Sequence, residues 1–170
     1  MKTQLMEPES VVDLVPQILH FKKILVPIDF SDASKRALKY AFRFAEQFDC
    51  EIVLLHVLEP AGPMVDAPLA LEVFLNSKDS LSTMEKKLAG LSAQSRNNDA
   101  NSISSKIRTG HAPNEITKAA KDLDIDLIVI ATHGYTSSRH LCIGSTAERV
   151  VRSAPCRPVL VVREKEHEFV

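Results

Sequence analysis

From residue 21 onward, compact apolar runs alternate with stretches in which apolar residues recur every three or four positions. Runs that are apolar on both faces are typical of buried parallel strands, whereas the wider spacing is typical of amphipathic helices. Strands are predicted at residues 23–29, 51–58, 103–109, 126–131 and 158–162. The third run alternates more than the others, so it is expected at an edge of the sheet. Helical spacing fills the intervals between the strands.

Capping and proline residues indicate where two of the helices begin or end. Ser31 follows the first strand and can cap a helix whose apolar residues share one face. The last helix is predicted to start near Gly144 and to end before Pro155, since proline cannot continue a helix. Its inward face is expected to hold three residues, Ala147, Val150 and Val151.

This alternation predicts an α/β fold, with a single doubly wound, mostly parallel five-stranded sheet and helices on both faces. Parallel neighbours require right-handed crossovers, and the connecting stretches have helical spacing. Residues 1–20 are interpreted as a partly ordered N-terminal extension, residues 21–165 as the domain and residues 166–170 as a C-terminal tail.

Composition and charge exclude several classes of protein. Lys and Arg number 21 against 22 Asp and Glu, and the net charge of -1 gives no field that would gather nucleic acid or an anionic membrane. The longest apolar runs are far shorter than the roughly 18 residues of a membrane-spanning helix. The three cysteines, Cys50, Cys142 and Cys156, are scattered and are interpreted as thiols in a reducing compartment. We therefore expect a cytoplasmic protein with no nucleic-acid or membrane partner.

Residues that follow the strands are the first candidates for chemistry, because ligands of such sheets bind beyond the carboxyl ends of the strands. The most informative stretch is residues 131–134 (ATHG), separated by nine residues from residues 144–146 (GST) at a helix start. Glycines, hydroxyls and a helix N-terminus suit a phosphate chain, since unpaired N–H groups and the positive end of the helix dipole converge there. Alternatively, Gly134 serves a turn and Ser145 only caps the helix.

Four segments resemble the universal stress protein family: residues 22–31 (KKILVPIDFS), 54–57 (LLHV), 144–151 (GSTAERVV) and 158–162 (PVLVV). The resemblance extends over residues 21–163. Its most specific part is similar to that family's ATP-binding signature, in which two glycines separated by two residues are followed, nine residues on, by Gly-Ser or Gly-Thr. Gly134 and the pair Gly144-Ser145 match this pattern, whereas Ala131 stands in place of the first glycine.

The resemblance implies the strand order 3-2-1-4-5 and an ATP site. Asp29 would accept hydrogen bonds from the ribose hydroxyls, and its alternative role is a helix cap. The residues beside the adenine and the sugar would be Pro27, Ile28, Val57, Ile130 and Ala131. The phosphates would be held by Gly134, Gly144, Ser145 and Thr146, with backbone N–H groups of Gly144 and Ser145 facing them.

Ala131 is the departure that most affects such a site. If the backbone there needs a positive φ, alanine costs about 1 kcal/mol relative to glycine. A negative φ would make the replacement nearly harmless.

Other reactive side chains are interpreted as structural. His133 and His140 are assigned to a solvated loop, His56 to a hydrogen-bonded core position in an apolar strand, and Cys142 to apolar packing. The sequence has neither the lysine-bearing phosphate loop nor the three-glycine dinucleotide fingerprint. We assign no catalytic residue and no protein metal site.

Three functions remain open at this point. The leading hypothesis is an ATP-binding regulatory module of the stress response, acting as a homodimer that pairs through the strand at residues 158–162. The second is a slow ATPase or phosphotransferase in which Asp29 or His133 positions water and magnesium screens the phosphates. The third is a nucleotide-free interaction protein, with Ala131 marking loss of the pocket.

Overall fold

The computed structural model describes residues 21–59, 81–93, 102–132, 143–154 and 158–163. The extension at residues 1–20 and the tail at residues 166–170 lie outside these ranges. So do several residues with predicted roles: His133, Gly134, His140, Cys142 and Cys156. The interpretations given for them therefore stay predictions.

Five parallel strands form one sheet in the order β3-β2-β1-β4-β5. They are β1 (Lys23–Pro27), β2 (Glu51–Leu58), β3 (Ile103–Thr109), β4 (Leu127–Ala131) and β5 (Val159–Val162). In the register of the sheet, Ile24 of β1 is aligned with Ile52 on one side and with Leu127 on the other. The predicted fold class and strand order are confirmed, as is the edge position of β3.

Helices connect the strands: α1 (Asp32–Phe48), α2 (described over residues 81–93), α3 (Ala112–Asp122) and α4 (Ser145–Ser153). Ser31 caps α1 as predicted, because its Oγ accepts a hydrogen bond from Ser34 N at 3.1 Å. α4 begins directly after Gly144, also as predicted. Within the described ranges, none of the helices is long and apolar enough to cross a membrane.

The sheet is buried on both faces by two separate sets of side chains. On one face, Ile24 and Val26 of β1 pack with the apolar face of α1 and with Leu88 of α2. On the other face, Leu25 packs with α3 and α4. The three β1 side chains are fully buried, so each contributes roughly 1.5–3 kcal/mol to stability. Burial on both faces explains why the strands are apolar without alternation.

One residue of α4 lies where the sequence did not predict it. Ala147 and Val150 are buried as expected, but Val151 is 46% exposed, so its predicted inward position is wrong. Consecutive helical residues are about 100° apart, and within the described residues α4 packs through Ala147 and Val150 against α3 and the sheet. The buried stripe of α4 is therefore narrow, and Val151 is turned out of it.

The chain leaves β1 and β4 toward opposite faces of the sheet. α1 follows β1 and packs on the face that carries Ile24, whereas α4 follows β4 and packs on the face that carries Leu25. Because β1 and β4 are neighbours, a crevice opens between the connections at their carboxyl ends. In this class of sheet, such a crevice is where ligands bind.

Cys50 is a buried thiol between α1 and β2. Its Sγ donates a hydrogen bond to Phe21 O at 3.0 Å. Burial, assisted by the negative charges of Asp126 and Asp49, raises the pKa of Cys50 to about 11. The thiol is therefore protonated at neutral pH, and Cys50 serves as an unreactive packing group.

Candidate functional site

A cavity of about 340 Å³ lies at the carboxyl ends of β1, β2 and β4, within the usual range for small-molecule sites. Nine of the ten predicted site residues line it: Pro27, Ile28, Asp29, Val57, Ile130, Ala131, Gly144, Ser145 and Thr146. The tenth, Gly134, lies outside the described residues. The topology thus brings together residues from four separate segments of the sequence.

The backbone of Val57 faces the cavity because β1 ends before β2 does. Ile28 N donates to Leu55 O at 2.8 Å and continues the ladder just past the end of β1. The next rung would join Val57 N to Ile28 O, but His56 Nδ1 donates to Ile28 O instead, at 2.7 Å. A carbonyl oxygen only accepts, so Nδ1 carries the ring proton. The predicted hydrogen bond of His56 is confirmed, but its predicted core position is wrong, because His56 is only half-buried and lines the cavity. Its side chain takes the place of the Val57 N–H in the ladder.

The connection from β1 to α1 is a tight turn held by an aromatic side chain. Phe30 adopts a left-handed backbone conformation with a φ of 65°, which costs an L-residue about 1–2 kcal/mol. Its ring packs on His56 with 4.9 Å between the ring centroids, and Lys87 Nζ lies 5.5 Å from the Phe30 centroid. These contacts stabilise a conformation that the backbone alone would disfavour.

The carboxylate of Asp29 is bonded to the residue that caps α1. Asp29 Oδ1 accepts from Ser31 N at 3.0 Å and from Ser31 Oγ at 2.6 Å. The N-cap of α1 is Ser31, so the alternative interpretation of Asp29 as the helix cap is wrong. Asp29 instead contributes a half-buried carboxylate to the cavity wall.

The first turn of α4 is open toward the cavity. Gly144 is the N-cap and no side chain among the described residues caps this helix, so Ser145 is not the cap either. Gly144 N donates to Thr132 O at 2.6 Å, which means that the expected orientation of the Gly144 N–H toward a phosphate is wrong. Among the described residues, no acceptor is found for the N–H groups of Ser145, Thr146 and Ala147, all of which line the cavity.

The N-terminus of α3 also reaches the cavity, but a carboxylate of the chain occupies it. Glu59 Oε1 accepts from Ala112 N at 2.8 Å, and both residues line the cavity. Sequence reasoning missed this pair. Its only signal is an acidic residue directly after a predicted strand, and no local pattern indicates a partner 53 positions away.

The described part of the chain offers no preformed metal site. Nowhere in these ranges do three His, Cys, Asp or Glu side chains gather in a way that could hold a metal ion.

The cavity lies at the switch point of a doubly wound parallel sheet, the usual place of a ligand site in α/β domains of this class. The chain belongs to the universal stress protein family, whose family model matches residues 20–163. The resemblance noted in the sequence is thereby confirmed.

Individual relatives share both the sequence and the fold. Universal stress protein MJ0531 of Methanocaldococcus jannaschii is 34% identical over 152 residues, which cover 87% of this chain and 85% of that protein. The solved structure of protein MJ0577 from the same organism is 30% identical and has a TM-score of 0.71, covering 87% of this chain and 99% of that one.

Two more distant structures contain adenine nucleotides. A universal stress protein in complex with cAMP has a TM-score of 0.63 at 19% identity and covers 85% of this chain and 98% of that one. The universal stress protein from Archaeoglobus fulgidus in complex with dAMP has a TM-score of 0.57 at 21% identity and covers 84% of this chain and 98% of that one. At these identities, the likeness demonstrates the shared fold.

Ala131 has an ordinary strand backbone. Among the described residues other than glycine, positive φ values occur at Phe30, Asp49 and Asp124. Ala131 instead pairs with Val162 of β5 and is 8% exposed. The alanine that replaces the signature glycine therefore causes no left-handed strain.

We expect Ala131→Gly to destabilise the protein rather than relieve strain. The substitution removes a buried methyl group, worth about 0.8 kcal/mol, and adds the backbone entropy of a strand glycine, a further 0.5–1 kcal/mol roughly. Urea unfolding should therefore give a free energy of unfolding lower by about 1–2 kcal/mol. Ala89→Gly, on the exposed side of α2, is a control for the glycine entropy without loss of buried area. A glycine variant at position 131 that is more stable than the parent would show that the alanine backbone is strained after all.

Proposed function

We propose that this chain binds ATP in the cavity at the carboxyl ends of β1, β2 and β4 and acts as a dimeric regulatory module of the stress response. The observation that carries the proposal is the open first turn of α4, which lies in the same cavity as the Asp29 carboxylate. Three backbone N–H groups suit the phosphates of a nucleotide, and a carboxylate suits its ribose hydroxyls.

The phosphate end of the site is assigned to α4 rather than to α3. Both helices begin at the cavity, but the first N–H of α3 is already bonded to Glu59. The negative charge of Glu59 also opposes a phosphate on that side. At α4, the helix dipole and the N–H groups of Ser145, Thr146 and Ala147 favour an anion. The hydroxyl groups of Ser145 and Thr146 add two donors to this phosphate site.

The base end of the site is assigned to the apolar residues of the strand ends. Pro27, Ile28, Val57 and Ile130 line the cavity with surfaces that suit the faces of a purine. The N–H of Val57, released from the ladder by His56, suits an acceptor nitrogen on the edge of adenine. Asp29 follows Ile28 directly, so ribose would lie between the base and the phosphates, with Ala131 beside it.

Adenine nucleotides in two other proteins of this fold support the choice of ligand class. Those relatives hold cAMP and dAMP. The choice of ATP rests on the spacing of Gly134 and the Gly144-Ser145 pair, which resembles the family's ATP-binding signature. Magnesium accompanying ATP would be held by phosphate oxygens and water, as is usual for this cation. We assign no catalytic role to any residue of the cavity.

Gly144→Val tests the phosphate site. The backbone of Gly144 has a φ of -72° and a ψ of 155°, values that valine adopts readily, so the substitution causes no backbone strain; because Gly144 is buried, circular dichroism checks that the variant is folded. Its branched side chain would stand at the start of α4, where phosphate must approach closely. We expect isothermal calorimetry to show ATP affinity reduced by roughly tenfold or more. Ser145→Ala, which keeps the backbone donors, should cost only about 1 kcal/mol of binding free energy.

Two controls make this measurement decisive. Gly90→Val introduces the same side chain into open space on α2 and should bind ATP like the parent. Adenosine, which lacks phosphates, should bind the parent and Gly144→Val with the same weak affinity. Equal ATP affinity for the folded Gly144→Val variant and the parent would place the phosphates elsewhere. Absence of ATP binding to the parent would favour the nucleotide-free hypothesis.

The dimer is proposed to form through β5, at the edge of the sheet. Pro158 O and Val162 O accept from Ile128 N and Thr132 N of the β4 side, at 3.0 and 2.8 Å. Backbone groups of successive strand residues point in alternate directions. Because Pro158 and Val162 face β4, the N–H and C=O of Val161 point away from it. An apolar edge with outward N–H and C=O groups favours pairing with a second copy. The proposed interface is the segment at residues 158–162.

Val161→Pro should weaken the dimer while leaving the monomer folded. Proline removes an outward N–H without breaking a hydrogen bond to β4, a position where edge strands tolerate it. We expect analytical ultracentrifugation to give a dimer dissociation constant raised by roughly tenfold or more. Val161→Ala keeps the N–H and should preserve the dimer. An unchanged dissociation constant in the proline variant would exclude β5 as the interface.

A further inference from the structure

The hydroxyl of Ser31 joins the N-terminus of α1 to the candidate ribose-binding carboxylate. Ser31 Oγ lies 2.6 Å from Asp29 Oδ1 and 3.1 Å from Ser34 N. The backbone N–H of Ser31 donates to the same Asp29 oxygen at 3.0 Å. A single residue therefore supplies two donors to Asp29 and one acceptor to the helix.

The direction of the hydroxyl proton follows from these partners. Ser34 N is a donor, so it must meet a lone pair of Ser31 Oγ. The proton of that hydroxyl is then directed to Asp29, whose carboxylate oxygen accepts it. Ser34 is buried, with 3% of its surface exposed, so its N–H has little access to water as a substitute. Capping of α1 thus favours the orientation in which Ser31 donates to Asp29.

The turn that carries both residues is fixed independently of Ser31. Ile28, on one side, is held by hydrogen bonds at both its N–H and its carbonyl oxygen. Phe30, between Asp29 and Ser31, is held in its left-handed conformation by contacts with His56 and Lys87. The backbone is therefore fixed by contacts that do not involve Ser31, and the two hydrogen bonds from Ser31 act on the Asp29 side chain.

We propose that Ser31 is the positioning residue for the Asp29 carboxylate. By binding one oxygen of Asp29 through two donors, it fixes the plane of the carboxylate in the cavity and prepares it to accept the ribose hydroxyls. Preorganised acceptors bind a diol more tightly than mobile ones, because less conformational freedom is lost on binding. This inference rests on the proposed function, in which Asp29 holds the ribose.

Substitutions at position 31 separate positioning from capping. Threonine keeps both the cap acceptor and the hydroxyl donor. Aspartate keeps a good cap acceptor but has no proton to donate to Asp29. Alanine removes both. If Ser31 only caps α1, Ser31→Asp should behave like Ser31→Thr. If Ser31 also positions Asp29, Ser31→Asp should bind ATP like Ser31→Ala.

The test is the ratio of the affinities for ATP and 2′,3′-dideoxy-ATP, measured by calorimetry on the full chain. The two ligands carry the same phosphates, so the effect on the phosphates of charge introduced at position 31 cancels in the ratio. We expect the parent and Ser31→Thr to prefer ATP by roughly tenfold or more. In Ser31→Asp and Ser31→Ala the preference should fall several-fold. In an Asp29→Ala background, Ser31→Ala should leave the ratio unchanged, since the group that it positions is absent.

Thermal unfolding supplies the second readout. Ser31→Ala should lower the melting temperature because α1 loses its cap, whereas Ser31→Asp should melt close to the parent. A full preference for ATP in Ser31→Asp would overturn the positioning role while leaving the proposed function intact. Equal affinity of the parent for the two ligands would overturn the ribose-binding role of Asp29, and with it this inference.

Discussion

The candidate site depends on one topological constraint, the divergence of the chain after two neighbouring strands. β1 and β4 lie side by side, yet α1 and α4 pack on opposite faces of the sheet. The space between the two departing connections cannot be filled by either helix. It forms the cavity, with the Asp29 carboxylate contributed by the β1 connection and the first turn of α4 by the β4 connection. The sheet order therefore fixes where the site lies, and residues such as Asp29 supply its chemistry.

Among the described residues, three helices begin near the edge of the sheet at which the strands end, and their N-termini differ in what their N–H groups bind. α1 is capped by its own Ser31, and α3 receives the carboxylate of Glu59. Within the described residues, α4 has neither a side-chain cap nor an acceptor for its first N–H groups. A helix N-terminus carries roughly half a positive charge, so the α4 end is where an anion gains most. In the proposed function, this asymmetry distinguishes the phosphate side of the cavity from its base side.

The sequence predicts the elements and the general location of the site because both depend on local patterns. Apolar runs mark the strands, and residues after strands necessarily gather at one edge of a parallel sheet. Hydrogen bonds between distant segments have no such local pattern. The bond from Glu59 to Ala112 and the bond from Gly144 to Thr132 depend on the packed arrangement of the strand ends. The second of these changes which N–H groups can meet a ligand, a distinction that residue spacing cannot make.

The proposed phosphate site can be observed residue by residue. Assigned amide resonances of ¹⁵N-labelled protein, followed during titration with ATP and separately with adenosine, report on each N–H of the first turn of α4. The amides of Ser145, Thr146 and Ala147 should shift strongly with ATP and little with adenosine, while the amide of Ala112, bonded to Glu59, stays nearly constant. Saturation with ATP that leaves these three α4 amides unmoved, or equal shifts with adenosine, would contradict a phosphate site at α4.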